Sequence, residues 1–137
     1  MKEEKISIKH EYPKKSPWYE PHAYIIYKGK TAIGYIRFKI VRRILVIGYL
    51  NINENYRNNH YGYMVMEYLL SHYKIECIVG QSLKESRSFW NKIIKRFGGQ
   101  RRNYCTLDNC SSSFIIPKYK ITACELERLL NIGHDIE

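Results

Sequence analysis

Between Ile52 and Tyr61 the chain changes its hydrophobic period, and that change limits the folds open to it. Upstream the period is two. Ile6 and Ile8 alternate with polar residues across Lys5 to His10, and Ala23 to Tyr27 and Thr31 to Ile40 flank the turn Lys28-Gly29-Lys30 as a hairpin. Arg42-Arg43 reads as the next turn, and Ile44 to Ile52 as the most buried strand of the set. Downstream, Met66, Leu69, Leu70 and Tyr73 fall on one face of a helix that begins at Tyr61. Ile75 to Val79 returns to strand. Ser82-x-x-Glu85 reads as a capping box opening a second helix, whose apolar face is Phe89, Trp90, Ile93, Ile94 and Phe97. Gly98-Gly99 stops it. Phe114-Ile115-Ile116 is a late strand, and Thr122-x-x-Glu125 caps a final helix with Leu126, Leu129 and Leu130 inward. The order β-β-β-β-α-β-α-β-β-α predicts an α/β (α+β) fold. Its sheet is mixed and mostly antiparallel, gains one β-α-β crossover midway, and is flanked by helices.

A chain of 137 residues fits one domain, expected over 1–137. Hydrophobic residues make up 45% and charged ones 26%, enough for a core, which excludes a disordered tail. The longest apolar run, Ile44 to Leu50, falls far short of the roughly 20 residues that span a bilayer. Met1 to Lys5 is charged with no apolar stretch behind it, so no signal peptide is expected. Cys77, Cys105, Cys110 and Cys124 then read as reduced thiols of a cytoplasmic protein. A zinc site from Cys105, Cys110, Cys124 and His134 has the wrong spacing for the common knuckles, and no metal is expected. The 23 Lys and Arg against 13 Asp and Glu leave +10, which favours a polyanionic partner: nucleic acid, membrane surface or phosphorylated cofactor.

Chemistry is concentrated in Tyr49 to Gly62, where a strand runs through a polar turn directly into a helix. The first turn of a helix carries unpaired N–H groups and a partial positive charge, a ready site for phosphate oxygens. Asn58 and Asn59 tolerate positive φ, so such a turn can aim successive N–H groups at one anion. The plain alternative is an ordinary strand-to-helix loop.

Arg57-x-x-His60-x-Gly62 resembles the Arg/Gln-x-x-Gly-x-Gly/Ala signature of the GNAT N-acetyltransferase family at its first and last positions. The approach Ile52-Asn53-Glu54-Asn55-Tyr56-Arg57 is similar to the family's Val-x-Pro-x-Tyr-Arg. Ser86-Arg87-Ser88-Phe89-Trp90-Asn91-Lys92 is similar to its Ala/Ser-x-x-Phe-Tyr-x-Lys helix. The likeness covers about residues 23 to 116. It implies a GNAT-like architecture with a shortened region between the first two strands, and acetyl-CoA as cosubstrate. Cofactor binding then falls to Leu50, Asn51, Ile52, Arg57, Asn58, Asn59, His60, Tyr61 and Gly62, with Ser86, Phe89 and Trp90 beside the pantetheine arm. Two positions where glycine is common are Asn58 and His60 here. The His60 imidazole either points away or, when charged, binds a phosphate oxygen. A loop that no longer binds CoA is the other reading.

Acetyl transfer needs a deprotonated amine, a donor for the oxyanion and a departing thiolate. The resemblance implies a backbone N–H around Leu50 to Ile52 as that donor. Ile44 to Ile52 holds no acid, which leaves Glu54 or a water relay as the base. Trp90 stands where the family's acidic tyrosine is usual; its indole donates but does not serve as an acid. Thirteen tyrosines offer substitutes, Tyr104 and Tyr61 among them with none standing out, or the thiolate leaves unassisted. Only Pro13 to Pro21, with three prolines in nine residues, is available where the family usually places two helices. An open acceptor face and an extended or macromolecular amine follow. Alternatively, Trp18 and Tyr19 merely cover the sheet edge.

No acid lies between Glu85 and Asp108, while Arg87, Lys92, Lys95, Arg96, Arg101 and Arg102 all do. One or two of these, or Arg57, suffice for CoA phosphates; the surplus is either a solvated face or a surface for tRNA or DNA. The rival to an enzyme is therefore a non-catalytic GNAT-like module binding nucleic acid or a protein. The final helix and late strands are where a homodimer could form.

Overall fold

A computed structural model describes residues 5–9, 23–57, 60–102 and 110–118. Seven strands run in the hydrogen-bonded order β1-β2-β3-β4-β5-β7-β6. They are β1 (Ile6–Lys9), β2 (Ala23–Lys28), β3 (Thr31–Val41), β4 (Ile44–Ile52), β5 (Cys77–Leu83), β6 (Gln100–Arg102) and β7 (Cys110–Pro117). Helix α1 (Tyr61–His72) follows β4, and α2 (Arg87–Phe97) follows β5. This is the mixed, mostly antiparallel sheet with flanking helices that the change of period predicts. The proposed final helix lies outside the described residues.

The chain divides into two compact units, Met1–Phe38 with Gly48–Tyr73, and Lys39–Ile47 with Lys74–Glu137. In the first, β1 and β2 pair antiparallel from Ile6↔Lys28 to Lys9↔Ile25, and β2 continues onto β3 with a bulge at Ile26/Tyr27. Ile6 and Ile8 are buried, following the alternation; Ile25 and Ile26, adjacent at the bulge, and Ile33 and Ile36 are buried as well. Helix α1 packs against β1 and buries Val65, Met66, Leu69 and Leu70. Tyr73, expected on that stripe, has left helical geometry at φ −115°. Its ring meets Phe38 edge-on at 5.4 Å, and Phe38 stacks on Tyr24 at 4.6 Å.

In the second unit β4 and β5 are parallel, the crossover expected from the element order, over three pairs from Ile44↔Cys77 to Val46↔Val79. β7 pairs antiparallel with β5 on one side and β6 on the other. Helix α2 packs on β7 with Trp90, Ile93 and Ile94 inward, and Trp90 stacks on the Phe114 ring at 4.4 Å. Gly98 at φ 67° ends α2 and its N–H bonds back to Ile94 and Lys95, as the glycine pair predicts.

The Ser82-x-x-Glu85 capping box is not present. Ser82 is fully buried inside β5, opposite Ser112, because the β5–β7 ladder carries the strand on to Leu83. A short 3-10 turn, Lys84–Ser86, then leads into α2. β4 is also less uniformly buried than its composition suggests. Ile44 to Ile47 are buried, whereas Gly48 is exposed and Tyr49 retains 43% of its surface.

Candidate functional site

The second half of β4 departs from a regular ladder. Arg42 and Arg43 form a two-residue turn with φ of 52° and 65°, the hairpin geometry that pairs the flanking residues Val41 and Ile44. Carried on unbroken, that register sets Ile52 opposite Ile33. Instead the Asn53 N–H donates to the Ile33 carbonyl at 2.7 Å, so β4 accommodates one extra residue before Asn53. Gly34 makes room for it: a β-carbon there would collide with the Asn51 carbonyl oxygen and lie 3.0 Å from Ile52 Cα. The offset falls on Leu50, Asn51 and Ile52, where an oxyanion donor is expected.

Past the strand, Asn53 caps a 3-10 turn, Glu54–Tyr56, its Oδ1 accepting from the Asn55 N–H at 3.0 Å. Arg57 folds back along the same segment. Its Nε donates to the Ile52 carbonyl at 2.8 Å and its Nη2 to Asn51 Oδ1 at 3.1 Å. The guanidinium thus ties off the end of β4, a use that spacing alone does not reveal. Glu54 is exposed beside this turn.

His60 precedes α1 at φ 64°, the left-handed region, and its carbonyl accepts from the Met64 N–H at 3.1 Å. That backbone angle accounts for a glycine preference at this position. The His60 side chain is exposed and makes no capping bond. The first N–H groups of α1, from Tyr61 onward, have no acceptor within the helix. Gly62, in the first turn of α1, is buried. Tyr61 receives the Tyr56 ring edge-on at 6.1 Å and the Lys28 ammonium at 5.4 Å from its centroid. Lys28 adds positive charge at this helix end; no sequence motif singles out a hairpin lysine. Tyr35 and Tyr49 form a second unanticipated pair, stacked at 5.5 Å. Burial, then the neighbouring and hydrogen-bonding Tyr49 phenol, push the Tyr35 phenol above its ordinary value.

Within the second unit, Ser86 Oγ donates to the Leu83 carbonyl at 3.2 Å, and Phe89 meets Trp90 edge-on at 4.9 Å. Trp90 is 6% exposed, so its indole is a core element of that unit. Arg87, Lys92, Lys95 and Arg96 are exposed, Arg101 is half-buried, and Arg102 pairs with Ser113 through the backbone. Asn58, Asn59 and Tyr104 lie outside the described residues, as do Pro13 to Pro21, Cys105, Cys124 and His134. Among the described residues Cys77 is a buried free thiol, and no group of three His, Cys, Asp or Glu could hold a metal. No helix of the described residues is long and apolar enough to cross a membrane.

The model of the acetyltransferase (GNAT) family matches residues 2–92, through β4, the Arg57–Gly62 segment and the start of α2. The chain belongs to the GNAT family. Solved structures with this fold include an acetyltransferase from Thermus thermophilus, 12% identical, covering 82% of this chain and 97% of its own, with a TM-score of 0.63. A putative GNAT acetyltransferase from Bacteroides thetaiotaomicron is 17% identical over 83% of this chain and 69% of its own, with a TM-score of 0.59. The ribosomal-protein-S18-alanine N-acetyltransferase of Escherichia coli is 11% identical over 74% and 71%, with a TM-score of 0.54. At such identities these GNAT structures establish the fold alone. No curated protein matches the chain.

Proposed function

We propose that this GNAT protein is an acetyl-CoA-dependent N-acetyltransferase acting on the amine of an extended or macromolecular acceptor in the cytoplasm. The observation that carries the reading is the join of β4 to α1: an offset strand end tied by Arg57, then positive-φ His60, then helix N–H groups beside buried Gly62. These features fit a pyrophosphate, which needs close backbone donors and a positive field. Asn58 to Gly62 would hold it through main-chain N–H groups, with Lys28 adding charge. Acetyl-CoA supplies the thioester carbonyl. The N–H groups of Leu50 to Ile52 would stabilise the developing oxyanion, and Glu54 or a water would take the amine proton. Tyr104 is the proposed donor to the thiolate.

The acceptor class rests on the connection between β1 and β2, residues 10–22, which is too short for two covering helices. A structural neighbour that acts on the alanine of a ribosomal protein supports a protein amine. Calorimetry with acetyl-CoA should give micromolar binding, followed by acetylation of peptide amino termini in preference to small amines. No heat at millimolar acetyl-CoA would defeat the reading.

Arg57→Gln should weaken acetyl-CoA about tenfold, a loss of about 1.4 kcal/mol, because the strand end loses its tether. Unfolding should shift by only about 1 kcal/mol. An unchanged Kd would mean that the tether has no part in binding.

His60→Gly resolves the role of the imidazole. Relief of the left-handed backbone at φ 64° should stabilise the fold by about 1 kcal/mol. Acetyl-CoA affinity should hold or improve. A several-fold loss of affinity would instead assign the ring to a phosphate oxygen.

A further inference from the structure

Two phenols flank the offset in β4, one on each strand. Tyr49 is the only ionisable side chain of Ile44–Ile52 and keeps 43% of its surface. It immediately precedes Leu50 to Ile52, and Tyr35 immediately follows Gly34, over which the offset passes. The rings stack at 5.5 Å with their planes 23° apart, and the two phenols are hydrogen-bonded to each other. Both contacts hold the exposed Tyr49 ring in one orientation. Burial, then the Tyr49 phenol, raise the Tyr35 pKa, which keeps a proton on the Tyr35 oxygen across neutral pH.

Arg37 borders the pair, since a β-carbon at neighbouring Gly48 would lie 3.7 Å from its Cδ. Neither β3 nor β4 contains Asp or Glu. The surface beside the offset therefore presents phenols and a guanidinium, and no carboxylate from either strand. That limits the amine it can use. A phenol ordinarily titrates near 10 and is too poorly ionised at neutral pH to strip an ammonium ion, but it accepts a hydrogen bond from an amine that arrives neutral. At pH 7.5 roughly a third of an α-amine is neutral, against about a thousandth of a lysine side chain.

We propose that Tyr49 receives the acceptor amine in its neutral form and passes on its proton, with Tyr35 as its positioning residue, so that protein α-amines are acetylated in preference to lysine side chains. The inference rests on the acetyl-transfer reading and routes the amine proton through Tyr49 to water rather than to Glu54. A hydroxyl has one donor and two acceptor sites, so the Tyr49 oxygen can accept from Tyr35 and from the amine while donating to water. The amine nitrogen attacks the thioester carbon and the N–C bond forms. Its proton moves to the Tyr49 oxygen as the Tyr49 proton leaves to water at the exposed edge of the ring. The C–S bond then breaks with its electron pair on sulfur.

The test uses the intact protein, acetyl-CoA and two peptides, one with a free amino terminus and no lysine, the other with a blocked terminus and one lysine. At pH 7.5 kcat/KM should favour the first by about a hundredfold or more. It should rise with pH along the amine's own titration, and a peptide with a less basic terminus should move that limb by the same amount. Tyr49→Phe should lower kcat roughly a hundredfold, with the Kd of acetyl-CoA and the melting temperature unchanged. Tyr35→Phe should lower kcat about tenfold at constant peptide KM. The double variant should match Tyr49→Phe alone, because the phenols act as a unit. Equal rates on the two peptides, a limb fixed at one pH whatever the peptide, or full activity in Tyr49→Phe would overturn the inference while acetyl transfer stands. Acetyl-CoA binding with neither peptide acetylated would also overturn it. Absence of acetyl-CoA binding in calorimetry would overturn the acetyl-transfer reading and this inference with it.

Discussion

Gly34→Val is expected to unfold the protein at a temperature lower by about 10 °C, a loss of about 3 kcal/mol. The reason is the identity of the atoms in the way. A β-carbon at Gly34 meets the carbonyl oxygen of Asn51 and the α-carbon of Ile52, which are backbone and cannot rotate aside. Relief requires β3 and β4 to separate or β4 to lose its extra residue. Either change moves Leu50 to Ile52 and the Arg57 bond to the Ile52 carbonyl. Acetyl-CoA binding, measured by calorimetry well below the melting transition, should therefore fall at least tenfold in the variant that remains folded. Gly34→Ala should show the same pattern at reduced size. An alanine variant as stable as the parent would mean that β4 does not pass over residue 34 as described.

Phe114→Ala should cost about 3–5 kcal/mol, the range for emptying a buried aromatic position. Phe114 is 1% exposed, stacks on Trp90, and its ring edge fills the space above Gly80, where a β-carbon would lie 2.8 Å from Cζ. Truncation therefore removes the contact between α2 and the β5–β7 ladder from both sides at once. Chemical denaturation monitored by Trp90 fluorescence would report it directly. Phe114→Leu should recover more than half of the loss, since it refills most of the volume. A loss below 1 kcal/mol for the alanine variant would show that the site collapses onto the smaller side chain.

The sequence makes some of these features legible and hides others, for physical reasons that differ. Local signals survive where one element decides them. The alternation of Ile6 and Ile8, the apolar spacing of Met66, Leu69 and Leu70, and Gly98 as a helix stop all correspond to what the fold does. Ser82 and Glu85 mislead because a capping box and a strand end compete for the same residues. The partner strand β7 wins by pairing Ser112 with Ser82. Its pairing is long-range, and no window around Ser82 contains it. The tether role of Arg57 is hidden likewise, since a guanidinium suits a carbonyl as well as a phosphate. Gly34 gives no motif at all; its need arises from a strand nearly twenty residues away. Tyr49 sits in an apolar run yet stays exposed, its ring stacked on Tyr35. The approach to α1 is the intermediate case. His60 is recognisable as a departure from glycine, but only its φ of 64° explains the preference.

The extra residue in β4 makes the length of the strand as consequential as its composition. Side chains along a strand alternate between faces, so one surplus position exchanges the faces of everything that follows. The Asn53 cap, the Arg57 tether and the opening of α1 all inherit their orientation from that count. Substitutions between Gly48 and Ile52 change what a position carries. A single deletion there changes which way every later position faces, as a lost base shifts a reading frame. Related chains can therefore differ freely in the residues of this stretch while being held to the same number of them.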